Sequence, residues 1–122
     1  MGLFDNLFGK KFKIKNDQDA SAYNEHAVII HFTYYKDSLD PLHKLSKKLI
    51  KVIEKQQAGF FDGHEIAMDL SDGSLYMYGA NAEELYKTVK PILDEVDFLK
   101  GAVATLRFGS VDSDAKVIEV KI

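Results

Sequence analysis

Two kinds of apolar spacing alternate along the chain from Ala27 onward, and turn residues mark the boundaries between them. Ala27-Val28-Ile29-Ile30-His31-Phe32-Thr33-Tyr34-Tyr35 is rich in β-branched and aromatic residues and is closed by Lys36-Asp37-Ser38, which predicts a strand over residues 27–35. Asp40-Pro41 then offers a helix start, with Asp40 as the cap and Pro41 at the first helical position, where no donor is missed. Leu42, Leu45, Leu49, Val52 and Ile53 recur at spacings of three and four, the apolar face of a helix that should run to Gln57 and stop at Gly59.

Strict alternation returns at His64, Ile66, Met68 and Leu70, and again at Leu75-Tyr76-Met77-Tyr78, so a hairpin is expected with Asp72-Gly73 as its turn. Asn81-Ala82-Glu83-Glu84 has the spacing of a capping box, and Leu85, Val89, Ile92, Leu93 and Val96 form the apolar stripe of a second helix. Pro91 removes one backbone bond from that helix and predicts a kink or break near Lys90. Gly101 ends the segment. Residues 102–108 and 116–122 read as two final strands joined by the turn-rich stretch 109–114.

The resulting order, β-α-β-β-α-β plus one extra C-terminal strand, predicts an α+β domain of the ferredoxin-like split βαβ type. In that arrangement an antiparallel sheet carries two helices on one face, and the extra strand forms a hairpin with the fourth. Residues 27–122 are assigned to this single domain. Residues 1–26 form an extension, in which an apolar and basic head (Leu3, Phe4, Leu7, Phe8, then Lys10, Lys11, Lys13 and Lys15) precedes the polar stretch from Asn16 to Glu25.

Composition narrows the chemistry. With 122 residues, 46% of them hydrophobic, the chain has enough apolar material for a core that needs no covalent staples. The absence of cysteine excludes disulfides, thiolate catalysis and Cys-ligated zinc or iron–sulfur sites, and it fits a reducing, cytoplasmic location. A net charge of −3 gives no whole-molecule attraction to nucleic acid, so no nucleic-acid partner is expected. No apolar run approaches the ~20 residues that span a bilayer, which argues against an integral membrane protein. The apolar and basic head, residues 1–15, lacks the form of a secretory signal and suits at most a weak peripheral membrane contact.

No catalytic constellation is visible. His26, His31, His43 and His64 do not pair at helical ligand spacing, no G-x-S-x-G elbow occurs, and the glycines punctuate turns without forming a phosphate loop, so neither a metal nor a cofactor is expected. Lys44, Lys47, Lys48, Lys51 and Lys55 share one stripe of the first helix, which reads as a solvated face.

Phe61-Asp62-Gly63-His64-Glu65, Leu75-Tyr76-Met77-Tyr78-Gly79-Ala80-Asn81-Ala82, Val89-Lys90-Pro91-Ile92-Leu93, Gly101 and Leu106-Arg107-Phe108-Gly109 together resemble a group of small bacterial α+β proteins without an assigned activity. The likeness covers roughly the C-terminal half and rests on turn and cap residues. It implies a compact bacterial domain of interaction or immunity type, and it carries over no functional residue.

The helix-free face of the sheet is the most informative surface. If Ile66, Met68, Leu75 and Met77 point to the helices, the opposite face collects Glu65, Asp69, Tyr76 and Tyr78 and, in matching register, His31, Thr33, Tyr35, Thr105 and Arg107. Aromatics on the first and third strands invite an RNA-recognition reading. Against it, Leu75-Tyr76-Met77-Tyr78-Gly79 lacks the basic-Gly-aromatic-Gly start of that motif, and Glu65 and Asp69 repel phosphate. The expected partner is therefore a protein or a second copy of the chain, bound through Tyr76, Tyr78, Glu65, Asp69, Tyr35 and Arg107. Two alternatives are a small-molecule sensor of the same fold and an enzyme of unassigned substrate.

Because residues 16–24 show no apolar periodicity, deletion of residues 1–22 is expected to leave the thermal unfolding transition nearly unchanged. Loss of cooperative unfolding in that truncation, measured by circular dichroism, would place Leu3, Phe4, Leu7 and Phe8 in the core.

Overall fold

A computed structural model describes residues 25–111 and 113–122, and most of the N-terminal extension expected over residues 1–26 lies outside them. The elements are β1 (His26–Thr33), α1 (Asp40–Gln56), β2 (Phe60–Ile66), β3 (Asp72–Gly79), α2 (Ala82–Leu93), a 3-10 turn (Asp97–Leu99), β4 (Val103–Arg107) and β5 (Val117–Lys121). They form an α+β structure with one five-stranded antiparallel sheet in the order β2-β3-β1-β4-β5. β3 lies between β1 and β2, and β1 lies between β3 and β4, so each helix connects two strands separated by a third.

Alternation along β1 decides which side is core. Val28, Ile30 and Phe32 are buried and meet Met77, Leu75 and Gly73 of β3, while Leu106 and Ala104 of β4 flank Val28 and Ile30 on the other side. Leu42, Leu45, Leu49 and Ile53 of α1 and Ala82, Leu85, Val89 and Leu93 of α2 close over this face. The five lysines of α1 are exposed, as a solvated stripe requires.

Several boundaries differ from the sequence expectation, each for a local reason. The first strand ends at Thr33 and not at Tyr35. Tyr34 and Tyr35 still donate their N–H groups to Ser71 and Leu70, but Tyr35 has a left-handed backbone (φ 52°) that ends the extended run. Tyr34 is buried, its ring set edge-on to Phe98 of the 3-10 turn at 5.0 Å, and its hydroxyl donates to the Ser38 carbonyl at 2.6 Å. Helix α1 begins at Asp40, so Leu39 and not Asp40 is the capping residue; the Ser38 hydroxyl accepts the Asp40 N–H at 3.3 Å.

At the other end, Gln57 (φ 55°) closes α1 by donating to the Ile53 and Glu54 region, with N–H to Glu54 carbonyl at 3.1 Å. Gly59 is needed for a different purpose: a Cβ there would lie 1.9 Å from the Tyr78 carbonyl, so the chain entering β2 can cross the end of β3 only as glycine. The hairpin turn is 67–71 and not Asp72-Gly73. Leu70 supplies the positive φ (62°), Asp69 accepts the Ser71 N–H at 3.0 Å, and Ala67 donates to Asp72. Gly73 lies within β3, where a Cβ would come 2.5 Å from the Glu65 carbonyl.

Asn81 caps α2 as its spacing predicts, accepting the Glu84 N–H at 3.1 Å. Pro91 does not break the helix near Lys90. It is the third residue from the end, it forfeits only its own N–H bond, and α2 continues to Leu93. Val96 lies past that end, and the 3-10 turn following it buries Leu99. β4 and β5 form the expected hairpin, with Leu106 opposite Ile118 and Ala104 opposite Val120.

Leu49→Ala and Leu85→Ala should each destabilise by about 2–5 kcal/mol, the range for emptying a closed aliphatic site. Lys48→Ala on the exposed stripe of α1 should change the urea midpoint little, and equal effects at Leu49 and Lys48 would show that the helical face is assigned wrongly.

Candidate functional site

The sheet has a second face, and its composition follows from register. Across the strands, one row runs Phe60, Tyr78, Ala27, Arg107 and Val117; the next runs Tyr76, Ile29, Thr105 and Glu119; a third runs Glu65, Ser74, His31, Val103 and Lys121. Both helices pack on the opposite side, so among the described residues this face has no helical cover.

Glu65 and Phe60 reach the same face although they are five residues apart, a spacing that would put them on opposite faces of a regular strand. A bulge explains it: the register shifts between Phe61 and His64, where Phe61 opposes Met77 and His64 opposes Leu75, and Gly63 takes φ 103°. Glu65 pairs with Ser74 and so lies diagonal to Tyr76, whose hydroxyl donates to Glu65 Oε1 at 2.6 Å. Burial of the ring and this bond to a carboxylate both hold the Tyr76 hydroxyl well above the usual tyrosine range, so it stays protonated and donating. Beside it, the Phe60 and Tyr78 rings lie 5.6 Å apart. Further along β1, His31 Nδ1 is 3.1 Å from the Ser74 hydroxyl, and its Nε2 is 3.7 Å from Asp72.

Of the residues expected on this face, the structure brings Tyr76, Tyr78 and Glu65 together, and places Arg107, His31, Thr33 and Thr105 on the same side. Arg107 is engaged by the backbone: Nε donates to the Gly109 carbonyl at 2.8 Å and Nη2 to the Glu25 carbonyl at 3.1 Å. It clamps the start of β1 to the end of β4. Asp69 and Tyr35 are not on the sheet face. Asp69 lies in the hairpin turn, and Tyr35 lies past the end of β1 and is 73% exposed. Met68, expected under the helices, is fully exposed at the tip of the same turn, because β2 stops at Ile66.

The sequence reading missed Phe60, Ile29, Val103, Glu119 and Lys121. Ile29 and Val103 lie two residues before His31 and Thr105 and were within reach of simple alternation. Phe60 was hidden by the bulge, and Glu119 and Lys121 by the unknown β4–β5 register.

A groove of about 380 Å³ lies elsewhere, between the first turns of α1 (Pro41, Lys44, Lys48) and the segment after α2 (Glu95, Val96, Phe98). Asp40, Lys44 and Lys48 on one wall and Glu95 and Asp97 on the other mix both charges, and Asp97 is bound by Lys36 at 3.1 Å, which holds its carboxyl below the ordinary range. No group of three or more His, Asp or Glu residues suited to a metal occurs among the described residues, and no helix there is long and apolar enough to cross a membrane. No known protein family, curated protein or solved structure matches the chain.

On the helix side, His64 of β2 faces His43 of α1, ring centroids 6.0 Å apart. Burial first, and the neighbouring imidazole second, lower the His64 pKa from 6.5. The fold therefore favours neutral His64, and its contribution is complete above pH 6.5 and is lost as pH falls through the lowered folded value. Melting temperatures at pH 7.5 and 5.5 should differ less in His64→Gln than in the native protein. An identical difference in the two proteins would remove His64 from the pH dependence.

Proposed function

We propose that the chain is a non-catalytic protein-binding module of ferredoxin-like fold, of the interaction or immunity type of small bacterial protein, acting in the cytoplasm through the helix-free face of its sheet. The strand order supports the fold reading, with β5 appended beside β4. The observation that carries the functional reading is the Tyr76–Glu65 pair at the edge of an aromatic patch: a 2.6 Å bond fixes the Tyr76 ring next to the Tyr78–Phe60 row on a face without helical cover.

Such a row offers contact area at low entropic cost, since the tyrosine conformations are already set before binding. Glu65, beside the rings, favours a partner with basic residues and disfavours phosphate. Arg107, the cation nearest the aromatic row, is occupied by two backbone carbonyls, which further disfavours a nucleic-acid partner. Ile29, half-buried between Tyr76 and Thr105, keeps the centre of the face apolar.

Tyr76→Ala combined with Tyr78→Ala should leave the fold intact, because neither ring enters the helix-side core, and should abolish partner capture. Pull-down from the native cell with the folded double variant measures this. An unchanged set of captured proteins would remove the face from the account, and a double variant that fails to fold would assign both rings a structural role.

A further inference from the structure

The two edges of the sheet differ. β2 is interrupted by the bulge between Phe61 and His64, with Gly63 at φ 103°, a disruption that blunts strand addition. β5 runs without interruption from Val117 to Lys121 and is unpaired on its outer side among the described residues. The bonds Phe108 N–H to Lys116 carbonyl and Ile122 N–H to Ala102 carbonyl, both 2.9 Å, set the ladder's phase. In that phase the even residues bond to β4, and the backbone groups of Val117, Glu119 and Lys121 point outward.

We propose that β5 pairs antiparallel with β5 of a second copy, in the register that sets Glu119 opposite Lys121 on both sides of a two-fold axis at Val120. This extends the protein-binding reading to the sheet edge and rests on it for the view that the sheet is a contact element. Charge selects the register, because a shift that centres the axis on Glu119 would oppose two carboxylates, a destabilising arrangement. Glu119 and Lys121 make no ion pair among the described residues, so both are available. The same register sets Ile118 opposite Ile122 of the other copy. Ile118, Val120 and Ile122 are only half-buried at the rim of the core, and the second copy would cover them. Residues opposed across an antiparallel pair share a face, so the dimer would carry both helix-free faces on one side of a ten-stranded sheet.

Sedimentation over a concentration series tests this on the full chain. A dimer is expected, weakened about tenfold by Glu119→Lys or by Lys121→Glu, each of which opposes like charges twice. Mixing the two single variants should restore it, as should the exchanged variant carrying both substitutions. Tyr76→Ala with Tyr78→Ala should still dimerise, which separates failure of this proposal from failure of the face reading. A monomer at every concentration, or a dimer indifferent to both reversals, would overturn the proposal. If a reversal fails to fold, amide exchange in the native protein decides: concentration-dependent protection of Glu119 and Lys121 supports the pairing, and unprotected exchange of both at all concentrations contradicts it.

Discussion

The double pairing of β1 is the constraint on which the structure depends. β1 bonds β3 along one side and β4 along the other, so its alternation is imposed on three strands at once. Val28 and Ile30 must face the helices because Met77, Leu75, Leu106 and Ala104 do, and a slip of one residue would turn all of them to the open side. With both helices committed to the even residues of β1, the odd residues are left to form the other face. The candidate site is thus the complement of the core.

Smaller devices hold that arrangement in place. Arg107 ties the carbonyls of Glu25 and Gly109, fixing where β1 enters the sheet, and Asn81 with His26 closes the start of α2, His26 Nδ1 accepting the Ala82 N–H at 3.1 Å. Phe32, Tyr34 and Phe98 pack the 3-10 turn onto the end of β1. At the other end of β2, Gly59 and Gly79 leave room for two backbone segments to cross. The bulge in β2 then links fold to surface, since without the extra residue Phe60 and Glu65 would lie on opposite faces of the sheet.

Periodicity made most of this legible. The stripes Leu42-Leu45-Leu49-Ile53 and Leu85-Val89-Leu93 are complete in the sequence, and so are the strand character of residues 27–33 and the cap at Asn81. What was not legible depended on three-dimensional neighbours. Asp72-Gly73 has turn composition, yet the turn falls at 67–71 because Gly73 is required where β3 passes the Glu65 carbonyl. Tyr35 continues the aromatic run but takes a left-handed conformation that sequence pattern does not report. Arg107 reads as an open cation, and only the folded positions of Glu25 and Gly109 reveal that it is a clamp. Tyr76, Tyr78 and Glu65 were found because alternation alone relates them to the core, whereas Asp69 was misplaced by extending that alternation past the end of β2.

Carbene footprinting of the protein inside its cells against the purified chain measures most directly whether the helix-free face is the working surface, as proposed. Phe60, Tyr76 and Tyr78 are expected to lose labelling in the cell while the lysine stripe of α1 is labelled equally in both. Unchanged labelling of the three rings, with protection confined to the helices, would contradict the account.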